Sequence, residues 1–122
     1  MSLITYAMNV QKLNQRITER DIYDFMHAIM TIIKYCHDNN IIHRDIKPDN
    51  IMFGFRNGDF SDIILIDFGH SRILRKDQIS SSRGIGTPHF SSPELLLQQF
   101  DPKVSHNFKT DIWSIGVTVV TL

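Results

Sequence analysis

A chain of 122 residues is long enough for one domain with a real core and short for two, and 42% hydrophobic against 21% charged residues excludes the disordered class. Lys plus Arg number 13 and so do Asp plus Glu, so no net field draws the chain to nucleic acid or to an acidic membrane. Cys36 is the only cysteine, which excludes an internal disulfide and favours a reducing compartment.

Residues 1–8 are apolar but lack a basic n-region and a long h-region, and no apolar run reaches membrane-spanning length. An intracellular, cytoplasmic protein is expected. Residues 3–15 carry scattered apolar side chains that fit either a short helix or a loop. Thr18 with Asp21 makes a capping-type start, and apolar residues recur at Ile22, Phe25, Met26, Ile29, Ile33 and Cys36. This predicts an amphipathic helix that ends at Asp38-Asn39-Asn40 and buries Cys36. Ile41-Ile42 and Ile51-Met52-Phe53 read as brief strands on either side of a polar loop at 43–50. Gly54, Asn57, Gly58 and Asp59 supply turn chemistry before the β-branched run Ile63-Ile64-Leu65-Ile66, so a small hairpin-like sheet is expected there. Between 69 and 93, Ser80-Ser81-Ser82, Gly84, Gly86, Pro88 and Pro93 break any long helix and predict a mobile loop. Pro93 can open a short helix running into Leu95-Leu96-Leu97. Residues 111–122 are apolar nearly all round, and Val117, Val119 and Val120 leave strand and helix both open. No internal repeat or linker divides the chain.

Three clusters stand in a fixed order: His43-Arg44-Asp45-Ile46-Lys47-Pro48-Asp49-Asn50, then Asp67-Phe68-Gly69, then Gly86-Thr87-Pro88 through Ser92-Pro93-Glu94. This set resembles the protein kinase superfamily, in the catalytic loop, the metal-binding tripeptide and the end of the activation segment. Asp111-Ile112-Trp113-Ser114 and Gly116 look like the start of the buried central helix of the kinase C-lobe, and on that resemblance helix is preferred for 111–122. The implied fold is α+β, a kinase-like C-lobe that is mainly helical with short β-hairpins and truncated at both ends. Residues 1–122 would then be one partial kinase domain, from the region after the hinge to the central helix.

Phosphoryl transfer is mainly positioning and charge neutralisation, so it needs a carboxylate near the attacking hydroxyl and hard oxygen ligands for magnesium. The resemblance implies that Asp45 orients or accepts the substrate proton, that Lys47 stabilises the transferring phosphoryl group and that Thr87 contacts both. Asn50 and Asp67 would hold Mg2+, and Met52 would join them in binding the ATP cofactor. Lys47 and Thr87 match the serine/threonine class, whose substrate is a protein hydroxyl. Arg44, ahead of Asp45, matches kinases switched on by phosphorylation, because a guanidinium pairs bidentately with phosphate. Ser80, Ser81 and Ser82 are the candidate sites. The stretches 39–43 and 65–71 are most similar to calcium/calmodulin-dependent and calcium-dependent kinases, although no EF-hand pattern occurs.

His43 is expected to be a packing residue near Phe68. For His27, His37, His70, His89 and His106, which show no metal-ligand spacing, surface or capping roles suffice. Trp113, Phe25 and the valines at 117–120 are expected in the core. The chain departs from the family in having no Gly-rich phosphate loop, since Gly84-Ile85-Gly86 lies downstream of the catalytic loop, and no strand lysine. A separate chain supplying the missing lobe is a partner this implies, and low activity in isolation is expected. Glu94 would lack its usual arginine partner. Ser92 stands for the common alanine and His70 for the usual leucine, and neither is expected to touch the phosphate chemistry. The alternative reading is a non-catalytic kinase-like binding module that regulates a full-length kinase. Intact Asp45, Lys47, Asn50 and Asp67 speak against it, because a decoy has no need of both base and metal ligands.

Overall fold

The computed structural model describes residues 1–54, 56, 59–74 and 86–122. The turn candidates Asn57 and Gly58, and Ser80, Ser81, Ser82 and Gly84, lie outside the described residues.

Helix α1 spans Leu3–Lys12, which settles the open choice at 3–15, and Ser2 caps it by accepting the Thr5 N–H at 3.3 Å. Helix α2 spans Glu19–Asp38. Its start is a reciprocal capping box: the Thr18 hydroxyl accepts the Asp21 N–H at 3.1 Å, and the Asp21 carboxylate accepts the Thr18 N–H at 2.8 Å. Phe25, Ile29, Ile33 and Cys36 form its buried face, at the spacing that puts side chains on one side of a helix.

Strand β1 is Ile41–Ile42, β2 Ile51–Phe53, β3 Ile63–Leu65 and β4 Arg72–Ile73. β2 and β3 pair antiparallel with Ile51 opposite Leu65 and Phe53 opposite Ile63, the expected hairpin. Strand alternation sends these four residues inward, where they meet Leu3, Phe25, Ile29, Ile33, Ile46, Phe60 and Ile115. β1 pairs instead with β4, a union that two-residue strands cannot advertise by alternation. Helix α3 spans Pro93–Leu97 with proline in its first turn, and α4 spans Lys109–Val120. Short 3-10 turns occupy Pro48–Asn50, Phe68–His70 and Pro88–Phe90.

The buried stripe of α4 is largely polar: Thr110, Asp111, Ser114 and Thr118 join Ile115. Its hydroxyls spend their protons on carbonyls. Thr118 donates to the Ser114 carbonyl at 2.8 Å, and Ser114 donates to that of Phe90 at 2.7 Å. The expected core placement of Trp113 and the valines at 117–120 is corrected in part, since only Val119 of these packs against the core cluster among the described residues. Phe25 is in the core, but Trp113 is 50% and Val120 87% exposed, because the inward face of α4 is the one that carries the hydroxyls and Asp111. Among the described residues no helix is long and apolar enough to cross a membrane.

Candidate active site

The loop at 43–50 leaves β1 and enters the 3-10 turn that delivers Asn50. Arg44 adopts the left-handed conformation at φ 69°, which costs a non-glycine residue energy that its surroundings must return. Asp111 returns it. Its carboxylate, fully buried, accepts the N–H of His43 and that of Arg44, each at 2.9 Å, and lies 2.8 Å from Nε2 of His37 at the end of α2. His43 is also fully buried and edge-on to Phe68 at 4.7 Å, the packing contact expected of it. A single tautomer satisfies its ring, with Nε2 donating to the Ile66 carbonyl at 3.1 Å and Nδ1 accepting the Asp45 N–H at 3.2 Å. Burial holds this imidazole below its ordinary pKa, against the upward pull of Asp111.

Asp45 is the centre of the site. Its Oδ1 accepts the Thr87 N–H at 3.1 Å and the Thr87 hydroxyl at 3.0 Å. Its Oδ2 accepts from Nδ2 of Asn50 at 3.1 Å and lies 3.4 Å from Nζ of Lys47, which itself donates to the Thr87 hydroxyl oxygen at 2.7 Å. Burial pushes the carboxyl up, but the Thr87 hydroxyl, the Lys47 ammonium and the Thr87 amide together outweigh it and hold Asp45 below the usual carboxylate range. A nearly buried carboxylate is thereby kept ionised. Asp45, Lys47, Asn50 and Thr87, drawn from positions 42 residues apart at the extreme, do converge.

Asp67 stands at the end of β3 with φ 61°, exposed, its Oδ1 accepting the Gly69 N–H at 3.2 Å. The preceding residue, Ile66, donates its N–H to the Asn50 carbonyl at 2.9 Å, which ties the backbone next to Asp67 to that of Asn50. The donor set suits a hard cation, because Asn50 commits its NH2 to Asp45 and offers an amide oxygen, while Asp67 offers a carboxylate. Among the described residues no group of three or more His, Cys, Asp or Glu is placed to hold a metal. Met52 is half-buried in β2 opposite Ile64, on the face away from Ile51 and Phe53. Arg44 is buried and donates Nε to the His70 carbonyl at 2.7 Å, while Ser80, Ser81 and Ser82 are outside the described residues.

Three expectations are corrected here. His106 has no surface or capping role: it is 2% exposed, with Nδ1 2.9 Å from the side-chain oxygen of Gln98, the residue that follows α3. His37 is part-buried against Asp111 and Phe108. His70 is not remote from the chemistry, since its Nδ1 lies 3.4 Å from Oδ2 of Asp45. Glu94 finds Thr110, whose hydroxyl donates to it at 3.0 Å. Sequence reasoning also missed the grip of Asp111 on the loop; a carboxylate opening an otherwise apolar helix was the available signal.

The sequence model of the protein kinase domain matches residues 1–122. The chain is 39% identical over 100 residues to the calcium/calmodulin-dependent protein kinase cmkB of Emericella nidulans, covering 81% of this chain and 23% of that protein. It is 38% identical over 106 residues to calcium-dependent protein kinase 5 of Plasmodium berghei, covering 86% and 17%. To the putative serine/threonine-protein kinase R436 of Acanthamoeba polyphaga mimivirus it is 41% identical over 104 residues, covering 83% and 34%. The chain thus spans about a third or less of the length of these relatives.

Proposed function

This chain belongs to the protein kinase domain family, and from that premise we propose that it is the C-lobe portion of a serine/threonine protein kinase, transferring the γ-phosphoryl group of ATP to a hydroxyl of a protein substrate. One observation carries the reading: an aliphatic hydroxyl, that of Thr87, is held between the Asp45 carboxylate and the Lys47 ammonium. A site that orients one alcohol between a hydrogen-bond acceptor and a cation has the elements to orient another beside a phosphoryl group.

In this reading Asp45, ionised, takes up the proton of the incoming serine or threonine as its oxygen attacks phosphorus. Lys47 neutralises charge on the transferring group. Thr87 fixes the Asp45 carboxylate through two bonds to one oxygen, leaving the other toward substrate. Asn50 and Asp67 would hold magnesium, which when bound supplies charge neutralisation on the phosphates. Met52 contributes apolar surface to the nucleotide, and Arg44 pairs with a phosphate added at Ser80, Ser81 or Ser82. Because the chain spans a minor share of its relatives, the groups that grip the outer phosphates come from outside residues 1–122, in the same polypeptide or another. The family resemblance supports a cytoplasmic address.

Transfer of radiolabelled γ-phosphate to a serine-containing acceptor protein tests this, using the polypeptide that carries residues 1–122. Asp45→Asn should lower the signal by about 100-fold or more, the usual size of a lost general base. Equal incorporation by both proteins would remove catalysis and leave the binding-module reading.

A further inference from the structure

The Asp45 carboxylate has one loosely held side. Oδ1 is taken twice by Thr87, whereas Oδ2 has one hydrogen bond, from Asn50, and two nitrogens standing off at 3.4 Å: Nζ of Lys47 and Nδ1 of His70. Lys47 is already engaged elsewhere, on the Thr87 hydroxyl. His70 Nδ1 is buried and has no hydrogen-bond partner among the described residues. Burying a polar nitrogen without a partner is unfavourable, so its persistence beside a carboxylate calls for a use.

The backbone delivers this ring deliberately. The 3-10 turn Phe68–His70 closes through the Ser71 N–H to the Phe68 carbonyl at 3.0 Å. Arg44, the neighbour of Asp45, clasps the His70 carbonyl through Nε at 2.7 Å, and Ser71 donates its hydroxyl to the His43 carbonyl at 3.4 Å. The main chain around His70 is therefore fastened to the same loop whose carboxylate its side chain approaches. The leucine that the resemblance leads one to expect here could offer Asp45 no proton.

We propose that His70 is a positioning residue for Asp45, donating Nδ1–H to Oδ2 when Lys47 turns from that oxygen to the phosphoryl group. The inference rests on the phosphotransfer reading and deepens it. Lys47 cannot serve the carboxylate and the phosphoryl group with equal strength, and as it moves, Oδ2 would keep only the neutral amide of Asn50. A rotation of the imidazole by a few tenths of an ångström at Nδ1 supplies the missing donor; such bonds are often long before substrate binds and tighten afterwards. Oδ2 has two lone pairs: His70 takes one in place of Lys47, and the substrate hydroxyl takes the other from Asn50. The Asn50 NH2 keeps its bond to the Asp45 carbonyl, so the carboxylate stays aimed and still has a site for the proton.

Nitrogen-15 NMR of the ring reads the contact without any need for turnover. The ring tautomer so read should carry its proton on Nδ1, and Asp45→Ala should move it to Nε2. A proton on Nε2 in the unsubstituted protein overturns the proposal by itself, whether or not the alanine variant folds. In the phosphotransfer assay His70→Leu should lower kcat about tenfold, the equivalent of one charge-assisted hydrogen bond, with KM for ATP unchanged. His70→Asn, whose amide nitrogen can stand where Nδ1 does, should recover most of that loss. A leucine variant with undiminished kcat would overturn the proposal. If instead the unsubstituted protein matches Asp45→Asn in phosphate transfer, it is the kinase reading that falls, while the ring proton still decides the contact.

Discussion

Asp111 does more for the candidate site than its distance in sequence suggests. Two consecutive N–H groups, those of His43 and Arg44, converge on its buried carboxylate at 2.9 Å, and one of them belongs to a residue held at positive φ. Removing the acceptor leaves both donors buried without a partner, at about 1–3 kcal/mol each, and frees Arg44 to relax toward a more ordinary conformation. Asp111→Ala should therefore destabilise the chain by roughly 3 kcal/mol or more, read as a lowered urea midpoint. Asp111→Asn offers one oxygen where two are used and should fall between the two. Equal midpoints for the alanine variant and the unsubstituted protein would show that the loop holds its shape without this anchor.

At the scale of elements, the segment that opens at Gly86 lies against the loop that carries Asp45. A methyl group at Gly86 would meet the Arg44 carbonyl oxygen at 2.9 Å and the Ser91 hydroxyl at 3.1 Å, so one of the two segments must shift. Arg44 immediately precedes Asp45, and small displacements of a reacting group are costly in rate. Gly86→Ala should lower phosphate transfer roughly tenfold while costing about 1 kcal/mol of stability. Gly116 on α4 is the control, because nothing lies within 4 Å of the added methyl and alanine is the better helix former. Gly116→Ala should raise the denaturation midpoint and leave transfer unchanged. What the sequence discloses at this scale follows the range of the interactions. The Thr18–Asp21 box and the 25, 29, 33 spacing of α2 are local, and the fold repeats them. The polar residues that surround Asp45 are legible because their types and order form a motif. The β1–β4 pairing, the reach of Asp111 across 68 residues and the approach of His70 to Asp45 are tertiary facts with no local pattern. Trp113 illustrates the converse, since apolar character alone does not say which face of a helix is covered.

For the whole molecule, the buried titratable groups set how stability responds to acid. His43 and His106 sit on different elements, both below their ordinary pKa: burial lowers each, Arg44 adds to it at His106, and nearby carboxylates only partly oppose it. An imidazole that resists protonation when folded binds its proton at higher pH when unfolded, so the unfolded chain gains protons first as pH falls below about 6.5. Stability is then complete above that pH and declines through the window beneath it, until the folded imidazoles also protonate. Asp45 and Glu94 act in the same sense further down. Burial raises each, but hydrogen bonds from Thr87 and the Lys47 charge at Asp45, and from the Glu94 backbone, Ser92 and Thr110 at Glu94, hold both below the usual carboxylate range. Their contribution is present above the unfolded carboxyl pKa and is lost as pH drops through the folded one. Urea titrations at pH 7.5, 6.0, 5.0 and 3.5 should therefore give midpoints that decrease in two stages, the first from the histidines and the second from the acids. His106→Gln keeps a side-chain donor for the Gln98 oxygen but cannot ionise, so it should flatten the first stage and leave the second in place. Midpoints constant from pH 7.5 to 5.0 would mean that neither imidazole stays neutral in the folded chain, and the same result in both proteins would remove His106 as a source of the acid response.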